Sequence, residues 1–162
     1  MQLPARTRVT APTPLKGTTP SVDRLSDLVC RELIKRATEM LAFSYAPYSQ
    51  FKVGAALMAK NKKIYTGCNI ENAAFGPSNC AERTAFFKAV SEGDREFDAI
   101  AIVGGKEGRI TDYCPPCGVC RQVMAEFCDP DAFFIILAKS EDDYWVYSLR
   151  ELFPMGFTPD KI

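Results

Sequence analysis

The chain has 162 residues, enough to bury one substantial core without disulfide staples. Twenty Lys and Arg balance twenty Asp and Glu, so no basic excess marks it as a binder of nucleic acid or of an anionic membrane. It contains no histidine, which excludes His-based triads, imidazole acid–base catalysis and every His-containing metal site.

No apolar run approaches the roughly 20 residues of a membrane-spanning helix, and the N-terminus lacks the apolar segment of a secretory signal. A cytoplasmic protein is expected. Its seven cysteines, at 30, 68, 80, 114, 117, 120 and 128, are then expected to be reduced, and clusters among them point to metal.

Residues 1–20 hold four prolines, three basic residues and no acid. Such a segment cannot build a packed core and is expected to be a disordered tail, although acid-poor, hydroxyl-rich segments also serve as organellar targeting signals. Residues 21–162 are expected to form a single domain. Ser21 can cap a helix running to about Phe43, with Leu25, Val29, Leu33, Ala37 and Leu41 on one face and Leu28, Ile34 and Met40 widening it. The stretch "YAPYSQ" breaks that helix. "FKVGAALMA" reads as a strand, "KNKK" as a turn and "IYTGCN" as its hairpin partner.

After the loop "IENAAFGPSN", Asn79 or Ser78 can cap a helix that ends at Gly93. "FDAIAIVGG" suits a strand covered on both faces. A helix from about Cys117 to Cys128 follows Pro116. "AFFIILAK" and "YWVYSL" form an antiparallel pair across the tight turn "SEDD", and a short helix near Leu149–Phe153 closes the domain. The pattern predicts a three-layer α/β/α fold with a five-stranded mixed sheet between helical layers.

The segment Cys114-Pro-Pro-Cys117-Gly-Val-Cys120 carries the strongest metal signal. Two thiolates three apart at a helix start lie on nearly one face and can grip one ion. Two prolines hold Cys114 away from Cys117 in an extended backbone, so Cys117 and Cys120 are preferred. A Cys-x-x-Cys pair by itself reads as a structural zinc site, or as a redox pair when it heads a helix after a strand. Cys80 also opens a helix, and side chains there tilt toward the N-terminus. Three thiolates at two helix starts would leave a fourth position open, as catalytic zinc requires.

Their negative charge would be offset by the helix dipoles, and by Arg83 if it bonds the thiolates rather than facing solvent. Glu82 alone is a favourable dipole partner in a first turn. Beside Cys80 it gains a second reading, since a carboxylate next to a metal-acidified water can take a proton and pass it to a leaving group.

This is the arrangement of zinc-dependent nucleobase deaminases, zinc on three cysteines with a non-ligand Glu. "CAERTA" and "PCGVCRQ" resemble the two zinc motifs of cytidine deaminases of the small homotetrameric type. "YAPYSQFKVGAAL" and "TGCNIENAAF" resemble that family's substrate segments, and "LRELFPMGF" its C-terminal piece. The likeness runs in order from about Leu25 to Phe157. It implies one Zn²⁺ per subunit on Cys80, Cys117 and Cys120, Glu82 as proton shuttle, and Arg83 supporting the thiolates. It also implies that Asn69 and Glu71 hold the ribose hydroxyls while Phe51 stacks on the pyrimidine.

Phe75 stands where many relatives have a tyrosine, on a loop reaching a neighbouring subunit's site, and Phe157 is expected near a neighbour's pocket. The implied reaction is hydrolytic deamination of cytidine and 2′-deoxycytidine to the uridines and ammonia, in pyrimidine salvage, by a homotetramer with shared sites and no nucleic-acid or membrane partner. Two alternatives are a deaminase of a cytosine-containing nucleoside antibiotic and a non-catalytic zinc-stabilised interaction module. The latter would need a fourth protein ligand such as Cys114 or Cys68.

Overall fold

The computed structural model describes residues 25–162. The expected tail over 1–20 and the cap at Ser21 lie outside the described residues. The elements are α1 (Asp27–Glu39), β1 (Phe51–Ala59), β2 (Ile64–Cys68), α2 (Ala81–Ser91), β3 (Phe97–Lys106), α3 (Gly118–Phe127), β4 (Phe134–Ser140), β5 (Asp143–Ser148) and α4 (Leu149–Leu152). Their order is the one read from the sequence.

The first helix is shorter than its apolar pattern suggests. Ser26 takes the N-cap, accepting from the Val29 N–H, and beyond Glu39 the chain tightens into a 3-10 turn over Met40–Phe43. Cys30, Leu33, Ile34 and Ala37 form the buried face. At about 100° per residue, Leu28 lies half a turn from the centre of that face. It is 77% exposed, so it does not widen the stripe.

The strands form one sheet in the order β2-β1-β3-β4-β5. β1 is antiparallel to β2 and β3, β3 is parallel to β4, and β4 is antiparallel to β5. Alternate residues of the central strands serve two cores, as the two-residue side-chain period of a strand requires. Ala56, Met58, Ala99, Ala101, Val103, Phe134 and Ile136 pack under α1. Leu57, Ile100, Ile102, Ile135 and Leu137 pack under α2 and α3 with Phe86, Met124 and Leu149. The sheet is thus covered on both faces, giving the expected three layers.

These pairings fix where the helices begin. β2 and β3 both lie antiparallel to β1, so their C-terminal ends fall at one edge of the sheet, where β1 starts. α2 follows β2 and α3 follows β3. Both helix N-termini therefore sit at that edge, and the open ends of parallel strands are where α/β folds build their sites.

Candidate active site

The N-terminus of α2 is pressed onto β2. A Cβ on Gly67 would lie 2.4 Å from the Ala81 carbonyl oxygen and 2.6 Å from the Ala85 nitrogen, so the absence of a side chain permits the contact. Cys80 itself occupies the N-cap of α2 and makes no side-chain capping bond. The expected caps have other partners. Ser78 Oγ accepts from the Asn72 N–H at 3.0 Å, and Asn79 donates to Thr84 Oγ1 at 3.1 Å. A sulfur therefore occupies the position that an oxygen cap ordinarily fills, where it can face the edge of the sheet.

Cys117 is likewise the N-cap of α3, its sulfur accepting from the Cys120 N–H. The loop before it is held by Arg121, which donates to the Pro116 carbonyl at 2.9 Å and to the Leu152 carbonyl at 2.8 Å. The two capping cysteines and Cys120 converge. Cys80 Sγ lies 3.8 Å from Cys117 Sγ, and Cys117 Sγ lies 3.4 Å from Cys120 Sγ. All three sulfurs fall within 4.8 Å of one another.

A tetrahedral zinc with bonds of about 2.3 Å spaces its thiolates by about 3.8 Å, so the donor set fits that ion in kind and in spread. Cys114 and Cys68 are not part of the group. The Cys68 thiol points to the Phe43 carbonyl. Cys114 is pushed up to about 12, chiefly by burial and then by the charges of Glu82 and Cys80, which keeps it a thiol.

Glu82 is the one buried charged side chain among the described residues, 4% exposed. Burial raises its carboxyl to about 7, with the charge of Cys80 adding to the rise. Cys80 moves the other way, to about 5, through a hydrogen bond with Cys120 and support from Arg83 and Cys117. Cys120 is pushed up as the protonated partner. Arg83 Nη2 lies 3.4 Å from Cys80 Sγ and 3.5 Å from the Ser78 carbonyl oxygen. Its Nε is buried without a hydrogen-bond partner among the described residues. Of the two readings open for Arg83, the structure takes the one in which it faces the sulfurs.

Phe51 begins β1 at the same edge. Its ring and the Cys114 sulfur come within 3.2 Å and 2.9 Å of the point where a Gly104 Cβ would stand. Asn69 Oδ1 accepts from the Val53 N–H at 2.8 Å and from Ser44 Oγ at 2.5 Å, while its Nδ2 donates to the Phe51 carbonyl at 2.8 Å. Glu71 Oε2 accepts from the Tyr48 and Ser49 N–H groups at 2.9 and 3.2 Å, and its Oε1 accepts from Ser49 Oγ. The Ser49 hydroxyl and then these N–H groups hold the Glu71 carboxyl below its ordinary range, against some burial.

Residues 29–136 match the model of the cytidine and deoxycytidylate deaminase zinc-binding region. The chain belongs to that deaminase family. It is 47% identical over 128 residues to a cytidine deaminase of Halalkalibacterium halodurans, covering 79% of this chain and 93% of that one. It is 45% identical over 131 residues to a cytidine deaminase of Sporosarcina psychrophila, covering 81% and 93%. The crystal structure of the Burkholderia pseudomallei cytidine deaminase superposes with a TM-score of 0.71 at 45% identity, covering 78% of this chain and 97% of that one. The family's zinc-binding region and the three-thiol group agree that this deaminase binds Zn²⁺.

Two residues that the deaminase resemblance assigns to substrate are exposed. Phe75 is 72% exposed, in a left-handed backbone conformation with φ of 46°, and its ring meets Tyr48 edge-on at 6.1 Å. Phe157 is 60% exposed, with its carbonyl accepting from Gln122 Nε2 at 2.7 Å. Clefts of about 520 Å³ and 710 Å³ include none of Cys80, Glu82, Cys117 and Cys120. Sequence reading passed over Ser44, Ser49 and Arg121. Arg121 could have been suspected from its place directly after the metal motif. The two serines carry no such mark.

Proposed function

We propose that the protein hydrolytically deaminates cytidine and 2′-deoxycytidine, giving uridine or 2′-deoxyuridine and ammonia for pyrimidine salvage. The observation that carries this reading is the buried Glu82 in the first turn of α2, two residues from Cys80 and its group of three converging thiols. Cys80, Cys117 and Cys120 would hold the zinc, whose Lewis acidity when bound would make a water acidic at neutral pH. Glu82 takes a proton from the attacking water and delivers it to the ring nitrogen beside the reacting carbon. It then takes the remaining proton of the added hydroxyl and passes it to the departing amino group, so that ammonia leaves, and its raised proton affinity suits a group that must both accept and donate near pH 7. Arg83 offsets the negative charge of the thiolates.

The ribose assignment follows from hydrogen-bonding capacity. Both lone pairs of Asn69 Oδ1 are used, and one Nδ2 hydrogen is committed to Phe51. Toward a ligand, Asn69 can therefore only donate. Glu71 can only accept, and Oε1 is its less committed oxygen. A sugar hydroxyl that donates to Glu71 and accepts from Asn69 satisfies both. The exposed edge of Phe51 offers a face for the pyrimidine.

The enzyme acts in the cytoplasm on free nucleosides, without nucleic-acid or membrane partners. None of its described helices is long and apolar enough to cross a membrane. It works as a homotetramer with shared sites, a reading supported by the exposure of Phe75 and Phe157. Phe75 gives a neighbour a ring without a hydroxyl, and Phe157 closes over a neighbour's pocket. The test is loss of cytidine absorbance with purified protein, before and after a zinc chelator. Turnover that stops on chelation and returns with zinc is expected; no turnover by the zinc-loaded protein would overturn the reading.

A further inference from the structure

The loop between the 3-10 turn and β1 is tied to the strand exit of β2 by more contacts than chain connection requires. Tyr45 N–H donates to the Asn69 carbonyl at 3.1 Å, and Glu71 N–H to the Tyr45 carbonyl at 2.8 Å. Gln50 then turns into the left-handed region with φ of 57°, a conformation that non-glycine residues keep only when their surroundings hold them there. Its N–H donates to the Ala46 carbonyl at 3.0 Å, and its own carbonyl accepts from the Glu107 N–H at 2.6 Å. This turn brings the Ser49 hydroxyl between two groups. It donates to Glu71 Oε1 and accepts from the Phe51 N–H at 3.0 Å.

We propose that Ser49 is a positioning residue that ties the Glu71 carboxylate to the Phe51 backbone, so that the groups reading sugar and base are held at a fixed spacing. The proposal rests on the reading of Glu71 and Phe51 as nucleoside contacts. A hydroxyl is suited to the task because one oxygen both donates and accepts. The Phe51 backbone is held on both sides, its N–H by Ser49 and its carbonyl by Asn69. Through these two residues it is linked to both groups of the sugar site. Without the hydroxyl, Glu71 keeps only two N–H groups, both on Oε2. Oε1, the oxygen left to accept from a sugar hydroxyl, then has nothing to fix it.

Steady-state kinetics of the zinc-loaded wild type, Ser49→Ala, Ser49→Thr and Glu71→Gln, each with cytidine and with 3′-deoxycytidine, test this. Ser49→Ala should raise KM for cytidine about tenfold, the scale of one hydrogen bond to a charged group, while kcat stays within about threefold. Ser49→Thr, which keeps the hydroxyl, should restore the wild-type KM. With 3′-deoxycytidine the Ser49→Ala penalty should shrink, because one of the hydroxyls offered to Glu71 is gone. An unchanged KM, an equal penalty on both nucleosides, or a fall in kcat with loss of zinc would overturn the proposal. Should Ser49→Ala fail to fold, a Ser49→Thr variant with the alanine-like KM rise on cytidine would overturn it equally. If Glu71→Gln raises KM and Ser49→Ala does not, only the role of Ser49 falls. If Glu71→Gln also leaves KM unchanged, the sugar-site reading beneath it falls too.

Discussion

A carboxylate loses hydration when it is buried, and Glu82 recovers little of it, so its proton is held until about neutral pH. That cost is intelligible if the proton is what the site uses. Glu82→Gln keeps the shape and removes the proposed shuttle. It should cut kcat by about 10³-fold or more, the scale of a lost general acid–base, with zinc content by metal analysis and thermal unfolding unchanged. Arg83 acts on the thiolates instead. In zinc-free protein Cys80 is held near 5 by Cys120 first and then by Arg83 and Cys117. A lowered pKa means that the thiolate persists as pH falls until that value is reached. Arg83→Gln removes a donor and a positive charge, so the midpoint should move upward. Alkylation rate against pH, followed at Cys80 by mass spectrometry, should show that rise; an unmoved midpoint would mean that Arg83 does not support the thiolate.

At the scale of elements, the site depends on two helices starting at one end of a sheet. Gly67 allows α2 to begin against β2. Gly67→Ala places a methyl group against backbone that cannot yield easily and should cost about 2 kcal/mol. Urea unfolding should register this loss together with weaker zinc retention. The strands were legible because continuous apolar runs such as "FIILA" and the small residues of β1 suit a sheet covered on both faces. The cap of α2 was misread because Ser78 and Asn79 are good capping types, yet the helix begins one residue later on a sulfur. The apolar spacing continues through Leu25 and Leu28, whereas α1 starts between them, with Ser26 as its cap. Ser44 and Ser49 were invisible for another reason. Their partners Asn69 and Glu71 lie 25 and 22 residues away, and a serine in a loop gives no local sign of such a contact.

At the scale of the whole molecule, Cys117 is exposed at the thiol group, and the rings of Phe75 and Phe157 project outward. If Phe157 completes a neighbour's site, Glu82→Gln and Phe157→Ala should complement each other. Each variant alone should be strongly impaired. Mixed subunits, reassembled from dissociated chains, should recover activity at sites that combine an intact Glu82 with an intact Phe157 from the adjoining subunit. Absence of recovery would place Phe157 in its own subunit's site or outside catalysis. Beneath all of this lies one claim, that zinc sits on Cys80, Cys117 and Cys120 with a position left for water. X-ray absorption at the zinc edge of the purified protein counts those ligands directly. Three sulfurs and one light atom are expected; four sulfurs would make the site structural rather than catalytic.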